Sequence, residues 1–137
     1  MKLERIPVTI TTDASGDYTV TTSKKYTGRL IGFHTRLGAS PYDMTTCTLT
    51  IAGVAAAITN FVATTRTLYT KASTGATSFT PVRVQCVDNA GSAIAGEYES
   101  PYIVNEAIKV TAASGGNTKK MYLEILLEVQ DSATHTN

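Results

Sequence analysis

The sequence predicts an all-β fold, a two-sheet antiparallel β-sandwich of jelly-roll type with about eight to ten short strands. Three observations carry that expectation. Threonine is the loudest signal in the composition, with 24 among 137 residues, and β-branched side chains lose rotamer freedom on a helix but pack well on a pleated surface. Hydrophobic residues alternate with polar ones at a period of two through most of the chain. Clusters of Gly, Asn, Asp and Ser then interrupt that alternation at short intervals.

Taken in order, Ile6, Val8 and Ile10 alternate with Pro7, Thr9 and Thr11, a half-buried strand with Pro7 at its start or on an edge. Asp13-Ala14-Ser15-Gly16-Asp17 is a turn, and Tyr18, Val20 and Thr22 resume the alternation, so the first two strands are expected to pair as a hairpin. Lys24–Gly28 reads as a second turn. Residues 29–37 form a strand with Ile31, Phe33, Thr35 and Leu37 on one face, and Gly38–Asp43 is a loop. Thr45, Cys47, Leu49 and Ile51 give the clearest alternation in the chain.

Residues 52–66 pull two ways. Ala55–Ala57 favour helix, whereas Ile58, Thr59, Val62 and Thr64 favour strand, so a hairpin or bulged strand is expected, with one helical turn as the alternative. Leu68 and Tyr69 suit a short strand, and residues 72–80 form a Gly/Ser/Thr-rich loop. Val82, Val84 and Cys86 make a strand closed by Asp88-Asn89-Ala90-Gly91, followed by an irregular polar section from Ser92 to Pro101. Tyr102–Val104 and Ile108–Ala112 read as separate strands. After the Ser114–Asn117 turn, Met121, Leu123, Ile125, Leu127 and Val129 form a long last strand.

The organisation is one domain over residues 1–130, with residues 1–7 as a candidate N-terminal arm and residues 131–137 as a polar tail. A chain of 137 residues buries roughly two-thirds of its unfolded surface, enough for one core. A net charge of +1 gives no basic stripe to neutralise phosphates, so no nucleic-acid partner is expected. No run approaches the roughly 20 apolar residues of a spanning helix, so no membrane partner is expected either. The N-terminus lacks the apolar core of a secretory signal, which points to folding in a reducing cytoplasm. Cys47 and Cys86 are then expected as free thiols on strands, although two strands of a sandwich could bring them within disulfide reach.

The residues supply little chemistry. His135 lies in the tail, where a fixed catalytic geometry is hard to hold, and His34 sits opposite Phe33 as a rim or interface histidine. No nucleophile elbow and no metal-ligand spacing of Cys or His is present, so no catalytic residue, metal or cofactor is expected. The Asp13–Asp17 and Asp88–Gly91 turns carry oxygen ligands but not the density of a calcium loop. Gly115-Gly116-Asn117-Thr118-Lys119-Lys120 joins glycine amides to lysines, yet no helix follows to form a phosphate site. Glu97, Glu99 and Glu106 raise the alternative of a small hydrolase, which would need two carboxylates set across a cleft. Seven tyrosines raise that of a carbohydrate-binding module.

The opening Ile10-Thr11-Thr12-Asp13-Ala14-Ser15-Gly16-Asp17 resembles the start of small virion proteins of tailed bacteriophages. The closing pattern Pro101–Val104, Ile108-Lys109-Val110, Gly115-Gly116 and a last hydrophobic strand is similar to theirs as well. The sequence departs from that pattern at Asn117–Lys120, where a Thr-Gly-like turn is expected after the double glycine. The resemblance implies a capsid decoration (cement) protein, located on the capsid surface of a virion and made in the host cytoplasm. Its implied partner is the phage major capsid protein, and its implied state a homo-oligomer, with a trimer favoured. A head–tail connector or minor tail component is an alternative in the same class. The implied contacts fall on Met1, Lys2, Leu3, Arg5 and Pro7 of the arm and on Asp131 and His135 of the tail.

Overall fold

A computed structural model describes residues 2–44, 46–72 and 79–129. Nine strands occur in chain order: β1 (Lys2–Thr11), β2 (Tyr18–Arg36), β3 (Thr48–Ala55), β4 (Thr64–Lys71), β5 (Phe79–Pro81), β6 (Val84–Val87), β7 (Ala93–Glu99), β8 (Tyr102–Ala113) and β9 (Lys120–Val129). All pairings are antiparallel, along the order β1-β9-β2-β8-β3-β4, with β5 also on β2 and with β6 and β7 forming a separate two-stranded ribbon.

The long path becomes a sandwich because β2 serves two layers. Its first part, Tyr18–Arg29, pairs with β8, and its second part, Gly28–Arg36, pairs with β9 and, around Phe33, with β5. One layer is therefore β1-β9-β2-β5 and the other β2-β8-β3-β4. Strands change sheets through bulges and bends, and β2 has register shifts on both sides of the crossover, at Tyr26/Gly28 and at Leu30/Gly32. Gly28 is opposite Ile103 and Val129 at once. A Cβ there would fall on the Glu128 carbonyl, so only glycine lets both neighbours approach. The rings of Phe33 on β2 and Tyr69 on β4 lie 6.2 Å apart, whereas three strand spacings in a flat sheet would separate their strands by ~14 Å.

One core fills the space between the layers. Ile6 and Ile10 from β1, Leu30 and Phe33 from β2, and Met121, Leu123, Ile125 and Leu127 from β9 meet Leu49, Ile51, Leu68, Ile108, Val110 and Ala112 from the other side. Threonine explains the outside: Thr19, Thr111, Thr50 and Thr70 form one row across β2, β8, β3 and β4.

Several expectations are corrected. β1 and β2 do not form a hairpin; β1 pairs with β9 and β2 starts the opposite layer, so the Asp13–Asp17 turn bridges layers. The segment read as a free arm, including Lys2, Leu3, Arg5 and Pro7, belongs to β1 and is paired with β9 along its length. Lys24–Gly28 is a bulged stretch of β2, and the bulge beside Leu30 leaves Ile31 half-buried while Leu30 takes a core position. Ala93–Glu99 is a strand, not irregular chain. Tyr102–Ala113 is one strand with Asn105 at φ 49° inside it. Residues 52–66, by contrast, form the hairpin expected of them, β3–β4, with a register shift at Ile51/Ala52. Met1, Thr45, Asp131 and His135, and most of the 72–80 loop, lie outside the described residues.

Candidate interaction surface

One end of the sandwich gathers the beginning of β1, the end of β9, the β2 crossover, the beginning of β8 and the β3–β4 tip. Register places Leu3, Glu128, Arg29 and Tyr102 in a single row across four strands. Arg29 donates to the Tyr102 hydroxyl at 2.8 Å and stacks over its ring at 4.7 Å. That hydrogen bond, with the nearby Glu128 and Glu99 carboxylates, pushes the guanidinium pKa upward.

Two ion pairs close the core at this end. Glu4 of β1 meets Lys24 of β2 at 2.8 Å, joining the layers and raising the lysine's pKa. Glu106 of β8, buried to 7% exposure, accepts from Arg66 at 2.8 Å and from the Val104 amide at 3.1 Å. Arg66 also donates to the Tyr102 carbonyl at 2.8 Å. Gly53 leaves room for this carboxylate, since a Cβ there would sit 2.5 Å from its Oε2. A buried carboxylate held by a guanidinium is a structural clamp.

Outside the clamp the surface is apolar. Ile58, Phe61 and Val62 at the β3–β4 tip are 68%, 68% and 82% exposed. Ile58 and Phe61 bond to each other through their backbones, with Asn60 at φ 70° between them. Tyr102 and Val104 are exposed at the start of β8, and Tyr98 is exposed at the root of the β6–β7 ribbon. Among the described residues that ribbon pairs with no other strand. Its residues 84–99 hold Asp88, Glu97 and Glu99 and no Lys or Arg.

The remaining sequence candidates fall elsewhere. Asp13 Oδ1 accepts from the Ser15 and Asp17 amides at 2.9 and 3.0 Å, and Asp88 Oδ1 from the Ala90 and Ser92 amides at 2.9 Å each. Both carboxylates hold turns. In the glycine–lysine segment the Gly115 amide donates to Gly16, the Lys119 amide to Thr12 Oγ1 and the Lys120 amide to Pro41. Lys119 Nζ meets Asp43 at 2.9 Å and holds that carboxyl below its usual range. These groups bind the fold together rather than cradle an anion.

Glu97 and Glu99 are exposed on the ribbon while Glu106 is held under Arg66, so the three are not one cluster of solvent-facing acids. His34 is half-buried with its ring 4.9 Å from Phe79. Cys47 is buried just before β3 and Cys86 is half-buried on the ribbon, and no disulfide joins them. Burial, together with Glu99 and Glu97, pushes the Cys86 thiol up. Among the described residues no group of three or more His, Cys, Asp or Glu is placed to hold a metal, and no helix is long and apolar enough to cross a membrane.

Of the proposed contact residues, Lys2, Leu3, Arg5 and Pro7 are all exposed on β1, and Met1, Asp131 and His135 fall outside the described residues. Sequence reading missed the β3–β4 tip as a contact surface. Its signal was Ile58, Phe61 and Val62 around Asn60, a hydrophobic cluster without a period of two. No protein-family model matches the chain, and no curated protein matches it in sequence.

Proposed function

We propose that the protein is a non-enzymatic structural component of a tailed-phage virion, one that decorates the capsid by docking across neighbouring major capsid subunits. In this reading it works as a homo-oligomer, a trimer in the group it resembles, and takes no cofactor. The observation that carries the proposal is the outward side of β1. Leu3, Arg5 and Pro7 are exposed together on the face opposite Ile6 and Ile10, with Lys2 exposed at the strand's start, on a strand paired over its whole length with β9. A fixed, exposed edge strand offers contacts at little ordering cost, and Pro7 suits an edge position because it has no amide to donate. Repeated across an oligomer, such contacts add avidity.

The Asp13 and Asp88 carboxylates and the Lys119–Asp43 pair hold turns and loops of the fold in place. The exposed tyrosines do not gather in one place: Tyr42 contacts Lys120 near the Gly-rich turns, at the other end of the sandwich from Tyr98 and Tyr102, and Arg29 lies over one face of the Tyr102 ring.

Co-sedimentation of the purified chain with empty, expanded phage capsids tests the proposal. The wild type is expected to bind in a copy number set by the capsid lattice. Leu3→Asp with Arg5→Glu is expected to weaken binding at least tenfold without lowering the melting temperature. Absence of binding, or binding unchanged by both substitutions, refutes the proposal.

A further inference from the structure

The exposed apolar end of the sandwich and the acidic ribbon beside it need an occupant. We infer that a second copy of this chain covers them: the ribbon of each copy lies against the tip and β8 end of the other. This deepens the homo-oligomer of the proposed function by naming the surface through which copies meet, and it is tested apart from capsid binding.

Area is the first argument. Ile58, Phe61, Val62, Tyr98, Tyr102 and Val104 are each more than half exposed. Against whole-residue areas of roughly 150–250 Å², together they offer on the order of 700–800 Å². A stable interface takes ~800 Å² from each partner, whereas the largest apolar patch on an ordinary monomer is ~300–600 Å².

Continuity of position is the second. β8 neighbours β3, and Val54 of β3 lies opposite Ala107 of β8, so the tip beyond Val54 projects at the level of the Tyr102–Val104 segment. Tyr98 precedes that segment by one short connection. Charge is the third. The ribbon is purely acidic between residues 84 and 99, while the body at this end carries Lys24, Lys25, Arg29 and Arg66. Lys25 is exposed and in no ion pair among the described residues. Lys24 and Arg66 are paired with Glu4 and Glu106, and Arg29 lies near Glu128 and Glu99 of its own chain, so the charge left for a second copy is Lys25 on the body against Glu97 on the ribbon. The ribbon's own construction is the fourth argument. A two-stranded ribbon is marginal in water by itself, and apolar contacts from a second copy stabilise it.

The test is the mass of the full chain by light scattering and sedimentation, from about 1 to about 200 µM, a span that brackets ordinary micromolar association. The wild type is expected to self-associate within it. Phe61→Asp with Val62→Asp should weaken association at least tenfold at an unchanged melting temperature, because both side chains already face solvent. Glu97→Lys with Glu99→Lys, changed on a separate element, should weaken it comparably, and adding Lys25→Glu should recover part of the loss. A wild type that stays monomeric throughout overturns the inference, as does wild-type association by the Phe61/Val62 variant, or by the glutamate variant. Capsid binding is read separately. A monomer that still decorates particles refutes the self-association and with it the oligomeric part of the proposed function but not the capsid contact, and an oligomer that ignores them refutes only the capsid role.

Discussion

Replacing Gly28 with alanine tests the feature on which the two-layer architecture depends. At this residue β2 leaves β8 for β9, and it faces a strand on either side. The added methyl would collide with the Glu128 carbonyl and lie close to the Val129 Cα at 3.1 Å. Each of these is backbone, so no rotamer change relieves the contact. Ordinary overpacking in a core costs ~1–3 kcal/mol. Here the ladder itself must separate, forfeiting one or two backbone hydrogen bonds worth ~1 kcal/mol each. A total of at least ~3 kcal/mol is expected, which for a chain of this size lowers Tm by roughly 10 °C. Gly91→Ala is the matched control. Its Cβ would meet nothing within 4 Å, but its φ is +85°, so it incurs only the ~1–2 kcal/mol of the left-handed conformation. The chain has no tryptophan, so circular dichroism and tyrosine fluorescence followed through thermal unfolding are suitable probes. A Gly28→Ala midpoint within ~2 °C of wild type, or above that of Gly91→Ala, refutes the shared-strand argument.

Two further outcomes follow from the ion pairs. Arg66→Met leaves the Glu106 carboxylate with the Val104 amide; because the Arg66 side chain is 53% exposed, water replaces part of the loss. The expected cost is ~1–2 kcal/mol, below the ~3–5 of a fully buried pair. A double-mutant cycle with Glu106→Gln should return a coupling of ~1 kcal/mol, and a coupling of zero would show that the clamp does not act as a pair. At the other end, Lys119 lowers the Asp43 pKa below its ordinary 3.8. A depressed carboxyl adds stability that is present above the unfolded pKa and lost as pH falls through the folded one. Urea midpoints followed from about pH 5 to about pH 2.5 should therefore fall less steeply for Asp43→Asn than for wild type; parallel curves would contradict the pairing.

The alternating strands were legible because burial on one face imposes a period of two, and Met121–Val129 carries that pattern without interruption. The crossover in β2 was not. Ser23-Lys24-Lys25 breaks the alternation as a turn would, yet the chain runs on through bulges, and a bulge leaves the same polar gap in sequence. The β6–β7 ribbon was half legible. Its Asp88 turn was read correctly, but Ala93–Glu99 packs on no sheet and so lacks the one-sided burial that makes a strand visible. Glu106 was grouped with Glu97 and Glu99 because its neutralising partner, Arg66, is 40 residues away in sequence, beyond any local pattern.

The two aspartate turns show where local reading ends. Asp13-Ala14-Ser15-Gly16-Asp17 and Asp88-Asn89-Ala90-Gly91-Ser92 make the same bonds. In each, the aspartate side chain accepts two amides, the glycine takes φ +84° or +85°, and the glycine amide returns to the aspartate carbonyl at 3.1 or 3.0 Å. Local chemistry therefore fixes the turn equally well in both. The second closes a hairpin and the first does not, because the strands leaving it have stronger claims elsewhere. Ile6 and Ile10 of β1 are buried beside β9, and the next strand finds its partner in β8. Gly16 then lies against the Gly115–Gly116 backbone, where any Cβ would be within 2.9 Å of an amide nitrogen, and that contact locks the two inter-layer turns together. The turn sets where the chain reverses, and the buried faces of the flanking strands decide what it reverses onto. The exposed apolar surface obeys the same logic: its residues come from β3–β4, the ribbon and β8, and only the course of those strands brings them to one end.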